Sequence, residues 1–176
     1  VIKPSEYAPL TLSRVLELIH ETDIPPGVIN LVNGRGHISG EALTSHPGID
    51  VISFTGGTVT ARAIMRSASA HLKPVAFELG GKSANIVTAS ADLERALDGS
   101  LSTIFLDNGQ QCLAGSRILV ERSIADEFIQ KFVARTRSIR VGDPLNPETE
   151  LGPLCYEAHM EKVLSYVDIA RSDGAE

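Results

Sequence analysis

The chain contains 176 residues, of which 43% are hydrophobic and 22% are charged, and this composition excludes disordered, collagen-like and disulfide-rich classes. Its 16 Lys and Arg against 22 Asp and Glu give a net charge of −6, so we expect neither nucleic acid nor a membrane as partner. Two cysteines and the lack of any long apolar run or leader pattern predict a reducing, cytoplasmic location.

Short apolar runs alternate with amphipathic helical patterns in the first half of the chain. This alternation predicts an α/β fold built from β-α-β units around a mostly parallel sheet. The run over 28–32 is predicted to be a buried strand, because it is continuously apolar apart from Asn30. The predicted helices cover 10–21, 41–45 and a segment after Gly57, and the other predicted strands cover 50–54 and 74–79.

The second half begins at Gly80 and Gly81, where we place a boundary between two domains, 1–79 and 80–176. Asp92 and Ser123 are each predicted to cap a helix, because a short polar side chain can accept the amide protons of a first helical turn. The predicted strands cover 84–87 and 116–121, the predicted helices cover 92–105, 123–139 and 156–171, and a long connection covers 142–153.

Two glycine turns follow predicted strands and precede predicted helices: one contains Gly34, Gly36 and Gly40, and the other is the segment 54–58. Backbone amides in such a turn can approach a phosphate closely, because no Cβ stands in the way. The first turn has the spacing G-x-G-x-x-x-G, which is not the dinucleotide fingerprint. From spacing alone, an ordinary turn and a cofactor loop therefore both stay open for each of them.

Cys112 lies in a polar, glycine-flanked loop over 107–115, whereas structural cysteines are usually buried in apolar surroundings. A nucleophilic cysteine needs an exposed thiolate and a group that moves protons. Glu78 is a candidate for that group, because it stands at a predicted strand end where side chains reach into clefts. Cys155 is expected to serve packing alone. The five histidines occur singly, and we predict no metal site.

Several further motifs occur in a fixed order that spans essentially the whole chain, and together they resemble the aldehyde dehydrogenase superfamily. The resemblance implies a parallel-sheet, Rossmann-like NAD-binding part over 1–79, followed by the first part of an α/β catalytic domain over 80–176. The motifs are Lys3-Pro4-Ser5-Glu6, Pro26-Gly27-Val28-Ile29-Asn30, Gly34-x-Gly36, Phe54-Thr55-Gly56-Gly57-Thr58, Glu78-Leu79-Gly80-Gly81-Lys82-Ser83, Gly109-Gln110-Gln111-Cys112, and Gly142-Asp143-Pro144 with Gly152-Pro153-Leu154.

The resemblance also assigns roles to individual residues. It implies that Cys112 attacks an aldehyde as a thiolate and that Glu78 activates the water that hydrolyses the thioester, a role that partial burial favours. It implies NAD rather than NADP, because the Glu6 carboxylate would repel a 2′-phosphate. Many members have Ser where this chain has Gly57. The resemblance therefore implies that only backbone amides contact the pyrophosphate in this chain. The implied cofactor-binding residues are Lys3, Ser5, Glu6, Gly36, Phe54, Gly56, Gly57 and Leu79.

The leading hypothesis is oxidation of a small-molecule aldehyde to a carboxylic acid, with an expected homo-oligomeric parent. The pairs Gly56-Gly57 and Gln110-Gln111 resemble members acting on semialdehydes from aromatic-ring breakdown. One alternative is a CoA-acylating relative. The presence of Glu78 disfavours this alternative, because a water-activating carboxylate serves hydrolysis. The other is a truncated, inactive chain that serves as a structural or nucleotide-binding module. The first residue is Val1 rather than Met, and the resemblance implies an internal piece of a longer enzyme.

Overall fold

The computed structural model describes residues 1–175 and divides the chain into two compact units, one covering 1–79 and the other beginning at Gly80. Each unit contains a pair of parallel strands joined through a helix. The predicted α/β class with parallel strand pairing is therefore confirmed. Within the described residues, no helix combines the length and the apolar character needed to cross a membrane.

The first unit is built around one β-α-β arrangement. The elements are α1 (Leu10–Ile19), a π-helical turn (Gly36–Gly40) that continues into α2 (Glu41–Ser45), β1 (Ile52–Gly56), α3 (Thr58–Ser69) and β2 (Val75–Leu79). Strands β1 and β2 pair in parallel, and α3 connects them and packs on both. Buried apolar side chains come from α1, β1 and α3, namely Leu16, Ile52, Ala61 and Ala68.

The buried strand predicted over 28–32 is wrong. Among residues 1–175, Leu31 is the only member of this run that pairs, in a single parallel bridge with Ile2, and Val28 is 65% exposed. The amide of Ile2 donates to the carbonyl of Asn30 at 2.7 Å, and the amide of Val32 donates to the carbonyl of Ile2 at 2.9 Å. An apolar run becomes a strand only where a partner extends along it, and this partner extends for one residue. The bridge still brings the segments after Ile2 and Leu31 to one edge.

The second unit repeats the arrangement, with β3 (Ala84–Val87) and β4 (Arg117–Val120) paired in parallel and α4 (Leu93–Phe105) between them in the chain. Its core contains Val87, Leu97 and Phe128, and Leu97 is completely buried. As predicted, Asp92 caps α4, since its carboxylate accepts the amide proton of Arg95 at 3.1 Å. The elements are β3 (Ala84–Val87), α4 (Leu93–Phe105), β4 (Arg117–Val120), α5 (Ala125–Ser138) and α6 (Glu157–Ser172).

The predicted capping role of Ser123 is wrong. A 3₁₀ turn over Arg122–Ile124 precedes α5, which begins at Ala125 without a side-chain cap. The hydroxyl of Ser123 donates to the Glu121 carboxylate at 3.1 Å instead. The bond to this carboxylate orients the hydroxyl away from the first turn of α5, where it would have accepted an amide proton.

Ion pairs join α4 to α5 on the surface. The Lys131 ammonium lies 2.9 Å from carboxylate oxygens of both Glu94 and Glu127, and Arg135 pairs with Glu94 and Asp98. The hydrogen bond from Lys131 lowers the pKa of Glu94 below its ordinary value. A carboxylate that is held ionised in this way favours the folded state at neutral pH.

Candidate active site and cofactor-binding residues

The first group of predicted cofactor residues comes together at the edge formed after the bridge of Ile2 with Leu31. The amide of Gly36 donates to the Glu6 carboxylate at 3.0 Å, and the Lys3 ammonium lies 4.0 Å from the same carboxylate. The Lys3 ammonium also donates to the carbonyl of Pro4 at 2.5 Å. A cation and an anion with hydrogen-bonding capacity thus stand side by side, which suits recognition of vicinal hydroxyls.

The turn that contains Gly34 and Gly40 lies next to Lys3, and it depends on glycine at position 34. At Gly34, φ is +142°, and a Cβ there would lie 2.1 Å from the hydroxyl oxygen of Ser39. A Cβ on Gly40 would lie 3.6 Å from the Lys3 side chain. The Ser5 hydroxyl is used locally, where it accepts the amide proton of Tyr7 at 3.3 Å. The turn therefore keeps its backbone close to the Lys3 and Glu6 side chains.

The second group lies at the carboxyl ends of β1 and β2. The register places Gly56 opposite Leu79 and Phe54 opposite Phe77, so these residues share one face of the strand pair. The Phe54 and Phe77 rings meet edge to face with centroids 6.2 Å apart. A Cβ on Gly56 would lie 2.4 Å from the Phe54 ring. Gly56 is itself exposed, and a side chain at this position would require the Phe54 ring to shift.

Gly57 is the N-cap residue directly before α3. Its backbone is extended, and it has no side chain with which to accept a capping hydrogen bond. Its carbonyl accepts the first helical hydrogen bond, from the amide of Ala61 at 3.0 Å. A Cβ on Gly57 would meet nothing within 4 Å. The amides of the first turn of a helix have no partner within that helix, so this 12-residue helix offers donors beside open space, as a phosphate requires.

Glu78 lies opposite Thr55 in the register, on the other face of the strand pair from Phe54, Gly56 and Leu79. The sequence did not separate these two faces, although the alternation of side chains along a strand requires it once the register is known. Glu78 is exposed. The partial burial expected for its role is therefore not provided within the described residues of the chain.

Cys112 lies in the loop between α4 and β4, and its thiol is free and exposed. The preceding turn is left-handed at Asp107 (φ 51°), Asn108 (φ 57°) and Gly109 (φ 72°) in succession. Asn and Gly tolerate this region far better than other residues. The carbonyl of Asp107 accepts the backbone amide of Gln110 at 3.1 Å, which closes the turn.

The part of the Cys112 loop that follows the cysteine is fixed to the rest of the second unit. Ala114 and Gly115 are buried, and the amide of Gly115 donates to the carbonyl of Thr103 in α4 at 3.3 Å. A Cβ on Gly81 would lie 3.3 Å from the carbonyl oxygen of Cys112. The nucleophile candidate is exposed at the tip of a loop whose backbone is well anchored.

Asn108, for which no role was predicted from sequence, makes long-range contacts in the structure. Its side-chain amide donates to the carbonyls of Gly152 at 3.1 Å and Pro153 at 3.2 Å. The Asn-Gly dipeptide signals a left-handed turn, but the partner is 44 residues away and no local pattern indicates it. No group of three or more His, Cys, Asp or Glu side chains is placed to hold a metal ion among residues 1–175.

Comparison with known proteins identifies the relatives of this chain. The 5-carboxymethyl-2-hydroxymuconate semialdehyde dehydrogenase of Escherichia coli is 48% identical over 175 residues, which are 99% of this chain and 37% of that protein. PnpE from Pseudomonas sp. WBC-3, solved in complex with nicotinamide adenine dinucleotide, superposes with a TM-score of 0.95 at 47% identity, covering 98% of this chain and 36% of PnpE.

A second solved structure is the betaine aldehyde dehydrogenase of Staphylococcus aureus in complex with NAD+, a double mutant, with a TM-score of 0.93 at 43% identity. The match covers 98% of this chain and 34% of that one, so the chain spans about a third of the length of these relatives. The model of the aldehyde dehydrogenase family matches residues 1–176. Since this match extends over the whole sequence, the chain belongs to the aldehyde dehydrogenase family.

Proposed function

We propose that the whole protein containing this chain oxidises a small aldehyde to a carboxylic acid with NAD, and that Cys112 is its nucleophile. The observation that carries the proposal is the exposed thiol of Cys112 on an anchored loop in a chain of this family. Residues 1–79 form the later part of the NAD-binding domain, and residues from Gly80 onward form the first part of the catalytic domain. We place the protein in the cytoplasm as a homo-oligomer.

The chemistry proceeds through a covalent intermediate on sulfur. The Cys112 thiolate adds to the aldehyde carbon, and the carbonyl oxygen becomes an oxyanion that the backbone amide of Cys112 helps to hold. NAD+, when bound, would supply the hydride acceptor for that carbon, so that the group on Cys112 reaches the oxidation level of a thioester. Glu78 takes a proton from water, the resulting hydroxide attacks the thioester carbon, and the carbon–sulfur bond breaks. The carboxylic acid departs and the thiol is restored.

The residues of the first unit fit the cofactor. The open space beside Gly57 and the first-turn amides of α3 suit a pyrophosphate. Lys3 and Glu6, which lie 4.0 Å apart, would hydrogen-bond the hydroxyls of the adenosine ribose, with Gly36 holding Glu6 in place. Phe54, Gly56 and Leu79 share the face along which we place the rest of the cofactor.

The preference for NAD over NADP rests on Glu6. A 2′-phosphate would meet a carboxylate that already accepts the Gly36 amide, and such a like-charge contact costs several kcal/mol. Glu6→Gln should therefore lower the ratio of kcat/KM for NAD to that for NADP by about tenfold or more, which is about 1.4 kcal/mol. Glu21→Gln, an exposed position with the same change of charge, is the control and should leave the ratio unchanged.

The role of Cys112 is tested by NADH production from a panel of aldehydes in the whole protein. Cys112→Ser should abolish turnover, and the control Cys155→Ser should retain it. The panel contains a muconate-type semialdehyde and betaine aldehyde, because relatives named for both substrates match this chain. Turnover that survives Cys112→Ser would refute the proposal. Tight NAD binding without turnover would favour a nucleotide-binding module, and a requirement for CoA would favour the acylating alternative.

The role of Glu78 is separable from that of Cys112. Glu78→Gln should leave the first burst of NADH intact, because hydride transfer needs no water, but it should slow steady-state turnover by about 10²-fold or more. The stalled thioester should be visible as a mass increase on Cys112 equal to the acyl group. A burst lost together with the steady state would assign Glu78 to an earlier step and contradict its proposed role.

A further inference from the structure

The acceptors of the Asn108 side chain belong to an ordered part of the connection over 142–153. A parallel bridge joins Val141 to Leu151, and the amide of Gly142 donates to the carbonyl of Leu151 at 3.0 Å. The carbonyls of Gly152 and Pro153, which Asn108 contacts, follow this bridge directly. The connection contains no regular helix or strand among its described residues, yet it offers two fixed acceptors.

Asn108 is also the centre of the left-handed turn that precedes Cys112. Both of its partners are carbonyl oxygens, so its side chain must present the amide nitrogen, which donates two protons. Asp107 reinforces the turn from its other side, since its carboxylate accepts the Gln111 side-chain amide at 2.9 Å. The left-handed conformation costs energy at the two non-glycine residues of this turn, Asp107 and Asn108, and these bonds offset that cost.

We infer that Asn108 is a positioning residue for Cys112: by joining the left-handed turn to the carbonyls of Gly152 and Pro153, it fixes the loop that presents the thiol. The inference rests on the proposed function, in which Cys112 is the nucleophile. Covalent catalysis depends on the placement of the attacking atom, and a displacement of about 1 Å can cost 10²-fold in rate. The hydrogen bond of Gly115 holds the part of the loop after Cys112, and the Asn108 link holds the part before it.

The test compares two substitutions of Asn108 in the whole protein. Asn108→Asp keeps the size and the tolerance of positive φ but replaces the donor with an acceptor. Asn108→Gly keeps the turn conformation, adds no charge and removes the link. Both should lower kcat per titrated Cys112 thiol by about tenfold or more while KM for NAD stays within about twofold. Both should also speed amide hydrogen exchange over 110–114.

Asn146→Asp is the matched control in the same connection. Asn146 uses its side-chain oxygen to accept the amide proton of Glu148 at 3.0 Å, and Asp preserves that acceptor. This variant should match the parent protein in kcat, KM and exchange. Alkylated Cys112 is quantified by mass spectrometry of the peptide that contains it, and the folded fraction of each variant is taken from near-ultraviolet circular dichroism, so that an unfolded fraction does not lower the measured kcat.

Several results would overturn the inference. Unchanged exchange over 110–114 in Asn108→Gly would show that the link does not order the loop. Faster exchange with unchanged kcat would show that order there does not matter for the chemistry. A loss confined to Asn108→Asp would assign the effect to charge. Turnover that survives Cys112→Ser would refute the proposed function instead, and the exchange result would still report on the link itself.

Discussion

Replacing Gly109 by Ala should destabilise the protein, because the residue has a φ of +72° and a Cβ there would lie 3.0 Å from the carbonyl oxygen of Ile104. The left-handed conformation costs an L-residue about 1–2 kcal/mol. The reduced freedom of the unfolded chain returns about 0.4–1 kcal/mol, and the contact with Ile104 adds a further cost. We expect a net loss of about 1 kcal/mol or more in the free energy of unfolding.

The same change at Gly99 should have the opposite sign. Gly99 lies inside α4, where a Cβ would meet nothing within 4 Å, and Ala is favoured over Gly there by about 1 kcal/mol. The two variants should therefore differ by about 2 kcal/mol, or about 30-fold in the folding equilibrium. Urea titration of the whole protein, followed by near-ultraviolet circular dichroism, measures the difference. Equal midpoints for the two variants would refute the reasoning from local backbone geometry.

Other predictions concern the cores and the surface ion pairs. Leu97→Ala should cost about 2–5 kcal/mol, because Leu97 is fully buried, whereas Leu145→Ala, at a side chain 90% exposed, should leave the urea midpoint unchanged. Lys73→Met should cost about 1.5–3 kcal/mol in the same titration, because the buried ammonium donates to the carbonyls of Thr44 and His46. The lowered pKa of Glu94 means that its contribution is present above the ordinary carboxyl pKa and disappears as the pH falls through the lowered value. Glu94→Gln should accordingly lower the melting temperature at pH 7 and make no difference in strong acid, and an equal loss at both pH values would contradict the assignment.

Elements with local signals were predictable from sequence, and elements defined by distant partners were not. The Asp92 cap and the span of α4 depend on residues within one helical turn of each other, so the sequence pattern contains them. The run over 28–32 is just as apolar as a strand, but in the described part of the chain its only pairing is one bridge with Ile2, which is 29 residues away from Leu31 by number. The Ser123 hydroxyl donates to the nearby Glu121 carboxylate. The sequence pattern alone does not show whether a serine at this position bonds to such a carboxylate or to the amides of the next helix.

The candidate site shows the same division. The glycine turns and the Cys112 loop were identified from sequence because glycine and polar residues punctuate the chain there. The separation of Glu78 from Phe54 and Gly56 onto opposite strand faces follows from the register of β1 and β2, which no short motif encodes. The link from Asn108 to Gly152 spans 44 residues and needed the fold.

The neighbouring positions 56 and 57 should differ in how many substitutions they tolerate. At Gly56 a Cβ would meet the far end of the Phe54 ring, so a replacement there requires the ring to shift and should be depleted from a mutant library selected for activity. At Gly57 the space is open, and small residues such as Ser and Ala should survive there. Adjacent glycines in one turn would thus differ in evolvability, since packing restricts one and only ligand affinity restricts the other.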